Sequence, residues 1–344
     1  MYLNKIKIKL RFFIHLIFKK KEIKFSAQKR VYLLLTPIHG NLGDQAIRYT
    51  ENKFLIDNFK GYEIVEISLK DTPDYLLSIK ANISSDDIIF LHGGGNLGDL
   101  YYIEEYYRTK VVETLLNNTI ISFPQSLAYK KPIDLKIVNQ SKRVYKKNSN
   151  FKMSIRESNS AMLFEQLFEM DYIFCPDIVL YNDVEYSTDK KEEVLILFRN
   201  DAETLYDSSY KDKLILWINQ EGYETIQSDT HIGINISNCD INRYTELFLK
   251  IDEIKQSKLV ITDRLHGMIL SYLSGVPCLV LDNTTKKISY CYKDWFKECD
   301  TVEILESDID KSDFLHLINK LYGKTGNNLH INEEFRELFH EYKN

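Results

Sequence analysis

Cysteine is scarce in this chain of 344 residues, which holds five cysteines and no pair in C-x-x-C spacing. This count argues against a disulfide framework or a zinc site and indicates reduced, mostly buried thiols of a cytoplasmic protein. No cluster of histidine, cysteine and aspartate in the sequence indicates another metal site. The formal net charge of −5 is small, so composition gives no general attraction to nucleic acid.

Long apolar runs are also lacking near the N-terminus. The run from Phe12 to Phe18 is interrupted by His15 and is far too short to span a bilayer. No small-residue cleavage site follows it, so the sequence predicts no signal peptide.

The N-terminal segment, residues 1–28, departs from the acidic average. Its first 24 residues hold eight lysines and arginines against one acid, Glu22. Apolar residues recur on one face of a helix: Ile6, Leu10, Phe13, Ile14 and Ile17. This pattern is typical of peripheral attachment to anionic lipid, here on the inner face of the plasma membrane, and equally of packing on the protein's own body. Because the first predicted strand begins at Val31, a chain starting near Phe25 is expected to fold.

The remaining length predicts two α/β domains, because 344 residues are too many for one simple core. Alternating apolar strands and helices place an N-terminal domain at 29–180 and a C-terminal domain at 194–322. The acidic stretch 181–193 is predicted to be the linker. The closing segment 323–344 holds a predicted helix that is a candidate to pack back on the first domain.

The stretch Ser257–Asn283 carries the strongest chemical signal. A buried strand ends at Thr262, Asp263 to His266 follow at once, and Gly267 opens an apolar helix. Ligands of open α/β sheets bind at the carboxyl ends of such strands. A fixed cation (Arg264), an imidazole (His266) and a helix N-terminus suit an anion beside which a proton moves. The alternative is a surface ion pair of Asp263 with Arg264 and a histidine that caps the helix.

The pentapeptide Gly-Asn-Leu-Gly-Asp occurs twice, at 40–44 and 95–99, each time between a predicted strand and a predicted helix. Glycine there permits positive φ and close approach of a ligand, and each aspartate stands at a helix-capping position. Neither pentapeptide is itself a G-x-G-x-x-G or Walker loop, so we infer no dinucleotide or ATP site. Each copy alone is equally typical of a capped turn, whereas two copies favour a shared lining of one cleft. The candidate lining residues are Asn41, Gly43, Gly94, Gly95, Asn96, Asp99 and, at another strand end, Arg199.

Taken together, these motifs resemble the polysaccharide pyruvyl transferase family. The resemblance rests on the two pentapeptides, the preceding His-Gly-Gly-Gly, Ser154–Ser158, Cys175-Pro176-Asp177 and Thr262–Gly267. It implies two Rossmann-like domains that face each other across a cleft, as in GT-B glycosyltransferases. It also implies that Arg264, Leu265, His266 and Gly267 form the donor site, completed by Arg156 and Asp44. For Arg156 the alternative is an ion pair with Glu157 or Asp177.

The family's reaction, which the resemblance implies, moves a pyruvyl group from phosphoenolpyruvate onto two sugar hydroxyls as a cyclic ketal. The acceptor would be a cell-surface polysaccharide or its lipid-linked precursor, with no cofactor or metal. His266 is then the proton donor, and Asp44 the base or orienting group for the hydroxyl. Two alternatives are a GT-B glycosyltransferase using a nucleotide sugar and a non-catalytic scaffold of polymer assembly. The intact Arg264 and His266 favour an enzyme.

Overall fold

The computed structural model describes residues 2–183, 191–201, 203–233, 240–305, 309–325, 334–336 and 338. The chain divides into two compact units. The first unit comprises Met1–Ile38, Ile47–Ile178 and Glu334–Asn344, and the second unit comprises His39–Ala46 and Val179–Glu333.

The first part of the chain alternates strands and helices. Its helices are α1 (Tyr2–Phe18), α2 (Leu42–Asn58), α3 (Thr72–Asn82), α4 (Tyr102–Thr114), α5 (Leu135–Lys147) and α6 (Ser158–Phe168). Its strands are β1 (Arg30–Thr36), β2 (Glu63–Ser68), β3 (Ile88–Leu91), β4 (Gly94–Leu97), β5 (Thr119–Leu127), β6 (Phe151–Ile155) and β7 (Ile173–Phe174).

The first unit is built on a seven-stranded parallel sheet. The strands follow the order β2-β1-β3-β5-β6-β7, and β4 pairs with the far part of β5. All seven residues of β1 are buried, as expected for a central parallel strand covered on both faces.

The second unit carries its own parallel sheet, in the order β12-β11-β10-β8-β9. Its strands are β8 (Glu193–Leu197), β9 (Glu224–Gln227), β10 (Leu259–Thr262), β11 (Cys278–Leu281) and β12 (Val302–Leu305). Its helices are α7 (Ser208–Gln220), α8 (Asp240–Gln256), α9 (Leu265–Leu273), α10 (Lys287–Cys291) and α11 (Lys311–Leu321). The central strands β10 and β11 are buried along their whole length, which places the core of the unit around them. The predicted class, α/β with two Rossmann-like domains, is confirmed.

The secondary structure departs from the sequence prediction in the first unit. Gly94–Leu97, predicted as loop, is strand β4, because it pairs with the extension of β5 from Phe123 to Leu127. Helices α3 and α5 were not predicted. Helix α5 has a predominantly polar surface, with buried residues on one narrow side: Val138, Ser141, Val144 and Tyr145.

The domain boundaries differ from the prediction at one consequential place. The segment His39–Ala46 lies within the predicted first domain, yet it clusters with the second unit. At the other end, Glu334–Asn344 clusters with the first unit, and Phe335 and Leu338 are buried. Most of the predicted closing helix, and residues 184–190 of the predicted linker, lie outside the described residues.

Helix α1 packs on the first unit, which corrects the prediction that it is dispensable. Phe12 is 1% exposed, and its ring centroid lies 5.6 Å from that of Tyr106 and 4.9 Å from that of Tyr107. The side chain of Lys5 pairs with Asp134 at 3.2 Å. Removing α1 would open the core. No helix among the described residues is long and apolar enough to cross a membrane.

Candidate active site

The loop between β10 and α9 is fixed by a threonine and a glycine. Thr262 Oγ1 donates to Leu197 O at 2.8 Å and accepts from the backbone N–H of Arg264 at 3.1 Å. A Cβ on Gly267 would lie 2.5 Å from the same oxygen. Only glycine therefore lets α9 begin this close to the strand. Arg264 occupies the position that precedes the helix, with extended backbone (φ −114°, ψ 127°).

Arg264 is a largely buried cation, 8% exposed, held by carboxylates that are nearer to solvent than it is. Its Nη2 lies 2.6 Å from Asp229 Oδ1, and its Nη1 lies 3.8 Å from Asp201 Oδ2. The side chains of Asp229 and Asp201 are 42% and 46% exposed. An anionic ligand that exchanged with these carboxylates would meet a guanidinium already oriented for bidentate bonding.

Asp263 does not pair with Arg264, so the surface ion pair considered from sequence is not formed. Its Oδ1 accepts from the backbone N–H of Arg199 at 2.6 Å, and its Oδ2 lies 2.7 Å from Lys211 Nζ. Burial raises the pKa of the Asp263 carboxyl, and the bonds from Lys211 and Arg199 offset only part of that effect. The carboxyl joins the ends of β8 and β10 and so holds the base of the loop.

Arg199 is engaged by two carboxylates of its own loop. Its Nε lies 2.8 Å from Asp201 Oδ1 and its Nη1 lies 2.8 Å from Glu203 Oε2. Burial works to lower the pKa of Arg199, but the bonds and charges of these carboxylates outweigh it and raise the pKa. Glu203 also binds Lys287 Nζ at 2.6 Å. Arg199 therefore organises the loop after β8.

The segment His39–Ala46 is joined to the loop after β9 by backbone hydrogen bonds. The N–H of Leu42 donates to Thr230 O at 2.8 Å, and the N–H of Ile232 donates to Gly40 O at 3.0 Å. Asn41 pairs with His231 in an isolated antiparallel bridge. These bonds explain why the segment belongs to the second unit.

Within that segment, Gly43 lies against His266. A Cβ on Gly43 would lie 2.4 Å from Nδ1 of the imidazole, so no other residue fits without moving the ring. The N–H of Gly43 donates to Asn41 Oδ1 at 3.0 Å, and Asp44 Oδ2 lies 3.6 Å from His39 Nε2. The second unit thus contains eight of the predicted site residues: Asn41, Gly43, Asp44, Arg199, Arg264, Leu265, His266 and Gly267.

The second pentapeptide copy adopts a different conformation in the first unit. Gly95, Asn96 and Leu97 belong to β4, and Gly98 has φ +132° with its virtual Cβ 2.5 Å from Ala128 O. Asn96 accepts from Arg108 and Asp99 accepts from the N–H of Lys130. The expectation that both copies are equivalent strand-to-helix loops is therefore wrong. Residues 93–98 do match G-x-G-x-x-G, but a strand occupies the place of the turn that opens a helix in a dinucleotide site.

His92 and Gly93, which precede the second pentapeptide, contact the buried carboxylate of Glu51. His92 Nδ1 lies 2.7 Å from Glu51 Oε2, and the N–H of Gly93 donates to Glu51 Oε1 at 2.7 Å. Burial raises the pKa of Glu51, while the charge and bonds of His92 and the bond from Gly93 oppose the shift. These contacts anchor α2 to the end of β3.

Arg156 is buried in the first unit and forms an ion pair with Asp177, which was the alternative to a place in the donor site. Its Nη1 lies 2.5 Å from Asp177 Oδ2, and its Nε donates to Ser126 Oγ at 2.7 Å. Ser126 in turn donates to Glu157 at 2.9 Å. These contacts join the ends of β5 and β6 and favour a structural role for Arg156.

Comparison with known proteins identifies the family. The profile described as polysaccharide pyruvyl transferase matches residues 41–285. This chain belongs to the polysaccharide pyruvyl transferase family. Similar proteins include General stress protein 30 of Bacillus subtilis, 31% identical over 319 residues that cover 92% of each chain. Pyruvyl transferase 1 of Schizosaccharomyces pombe is 30% identical over 318 residues, covering 87% of this chain and 78% of its own.

A solved structure from Klebsiella pneumoniae, of a protein described as functionally uncharacterised, shares the fold. Its TM-score is 0.53 at 16% identity, over 81% of this chain and 93% of that chain. The profile of the pyruvyl transferase family spans both the Asn41–Asp44 segment and the Arg264–His266 loop. Membership makes the protein a transferase.

Several residues of the candidate site were not singled out from sequence. Asp229 and Lys211 reach the site through tertiary contacts, and no local pattern marks them. His39 reaches it locally, since it lies five residues before Asp44 and contacts that residue. Glu203 could have been proposed, since it follows a strand end by a few residues. Leu265, predicted to bind the donor, has a buried side chain. Among the described residues, no group of three or more His, Cys, Asp and Glu could hold a metal ion.

Proposed function

We propose that this protein transfers the pyruvyl group of phosphoenolpyruvate to two hydroxyls of a sugar, as a cyclic ketal. The acceptor would be a cell-surface polysaccharide or its lipid-linked precursor, reached on the cytoplasmic side. The observation that carries the proposal is the largely buried Arg264 guanidinium, bound by partly exposed carboxylates, one residue before α9 and two before His266.

Donor binding follows from the charges of this loop. Phosphoenolpyruvate carries a carboxylate and a phosphate, and a planar guanidinium binds either group through two parallel bonds. The N-terminus of α9 adds backbone N–H groups and a partial positive charge. On binding, Asp229 and Asp201 would turn toward solvent, to which both are already partly exposed.

His266 then supplies the proton that starts the reaction. It donates to the methylene carbon of phosphoenolpyruvate, so the adjacent carbon becomes electrophilic. A sugar hydroxyl attacks that carbon while Asp44 takes its proton. The carbon–oxygen bond to phosphate breaks, and phosphate leaves with the electron pair. A second hydroxyl attacks and closes the ketal; of the two hydroxyl protons, one restores His266 and the other leaves with phosphate.

The test is product formation. The protein is incubated with phosphoenolpyruvate and a panel of lipid-linked and free oligosaccharides, and mass spectrometry looks for one added pyruvyl ketal together with released phosphate. The proposal expects a ketal on at least one acceptor, formed far more slowly with His266→Ala. Sugar transfer from a nucleotide sugar, with no product from phosphoenolpyruvate, would refute it.

A further inference from the structure

Helix α1 has two apolar faces, and only one of them is used in packing. The inner face carries Phe12, with Ile8 and Leu16 partly buried against the core of the first unit. His15 Nδ1 lies 2.6 Å from Asp74 Oδ1 and adds a polar attachment to α3. The helix is therefore held firmly on the body of the unit, with a fixed orientation.

The outer face of α1 presents seven exposed apolar side chains. Phe18 is 81% exposed and Leu3 is 71% exposed. The seven recur at intervals of three and four residues, so they share one side of the helix. The outer face consists of Leu3, Ile6, Leu10, Phe13, Ile14, Ile17 and Phe18.

A groove of about 370 Å³ lies beside α1. It is lined by Asn4, Lys5 and Ile8 of α1, none of which belongs to the outer face, and by Leu100–Glu104 and Lys130. Leu100, Tyr101 and Ile103 are themselves exposed. Exposed apolar side chains grouped as closely as the seven of the outer face mark an interaction site.

The charge around the patch is positive. Lys7 and Arg11 lie on one side of the outer face and Lys9 on the other, and all three are exposed. Lys19 and Lys20 follow the helix directly, and the nearest acid in sequence, Glu22, stands alone among them.

We propose that the outer face of α1 docks on an anionic lipid bilayer. Apolar side chains flanked by lysine and arginine match the acyl and headgroup layers of such a surface. A second copy of the chain would bring the same cations together across a two-fold axis, which is unfavourable. Because the inner face of α1 is packed on the first unit, α1 is not a detachable anchor. Docking of α1 therefore brings the first unit itself against the membrane.

The experiment is flotation of the full-length protein with vesicles of phosphatidylcholine, with and without phosphatidylglycerol. The protein should float with anionic vesicles at low salt and much less at high salt, since exposed charges are screened. The triple variant Leu10→Gln, Ile17→Gln, Phe18→Gln should lower the floating fraction at least ten-fold. Because these side chains are exposed, its melting temperature should stay close to that of the parent protein.

A matched control replaces equally exposed apolar residues elsewhere: Met162→Gln, Leu216→Gln and Leu249→Gln. This variant should float like the parent. The proposal is overturned if the parent does not float with anionic vesicles at low salt, or if the α1 triple variant floats as well as the control. It is also overturned if light scattering shows a dimer that the α1 variant abolishes while neither protein floats. Flotation needs no donor or acceptor sugar, so its outcome is independent of the proposed reaction.

Discussion

A methyl group added at Gly43 should disable His266 without unfolding the protein. The new Cβ would lie 2.4 Å from Nδ1, 2.8 Å from Cγ and 3.0 Å from Cβ of His266. The imidazole must retreat by about 1 Å to regain ordinary van der Waals contact, and misplacing a catalytic group by that distance costs about 100-fold in rate. We therefore expect Gly43→Ala to lower kcat/KM about 100-fold, or ~2.7 kcal/mol.

The free energy of unfolding should change less than the activation free energy in this variant. Overpacking costs about 1–3 kcal/mol, but alanine is favoured over glycine by about 1 kcal/mol within a helix such as α2. The assay measures phosphate released from phosphoenolpyruvate in the presence of a responsive acceptor, beside thermal unfolding of the same samples.

The control is the same substitution in a His266→Ala background. If Gly43 acts by positioning His266, adding Gly43→Ala there should cause little further loss, because the group it displaces is already gone. Activity within a few-fold of the parent for Gly43→Ala alone would refute the reasoning, as would additive losses in the double variant.

Four further outcomes are expected. His266→Ala should lower turnover by about 10²- to 10⁴-fold while donor affinity, measured by calorimetry, changes much less. Arg264→Lys should weaken phosphoenolpyruvate binding because the planar fork is lost, whereas Arg156→Lys should lower the melting temperature and leave donor affinity unchanged. Phe12→Ala should lower the free energy of unfolding by about 3–5 kcal/mol in urea titrations. Partial burial tends to raise the pKa of Asp201, but the hydrogen bond and the charge of Arg199 outweigh this effect. The pKa of Asp201 therefore lies below its ordinary value. The ionised Asp201 carboxylate therefore stabilises the fold above about pH 4, and this contribution is lost as the pH falls through the lowered pKa. Asp201→Asn should accordingly be less stable than the parent at pH 7 and as stable as the parent in strong acid.

Buried parallel strands were the most predictable part of the fold. Strand β10 ends at the predicted Thr262 and strand β1 begins one residue before the predicted Val31, because short apolar runs between turn residues have few other places in an α/β protein. Strand β4 could not be predicted, since its glycine-rich sequence has no strand propensity and its conformation comes from pairing with β5.

The site was predictable in its residues more than in its arrangement. Arg264 and His266 could be singled out because they follow a strand at once and lie at the start of a helix. That Gly43 would lie against His266 depends on backbone bonds from Leu42 to Thr230, far apart in sequence and without a local signature. Asp229 is likewise placed on Arg264 by the tertiary fold.

Binding of phosphoenolpyruvate at Arg264 can be measured without knowledge of the acceptor. Thermal unfolding of the parent, Arg264→Lys and the Arg156→Lys control is followed with phosphoenolpyruvate, inorganic phosphate or UDP-glucose. A ligand at 100 times its Kd stabilises the folded state by about 2.7 kcal/mol. We expect a rise in melting temperature with phosphoenolpyruvate that is smaller in Arg264→Lys and retained in Arg156→Lys. A rise with UDP-glucose and none with phosphoenolpyruvate would contradict this expectation.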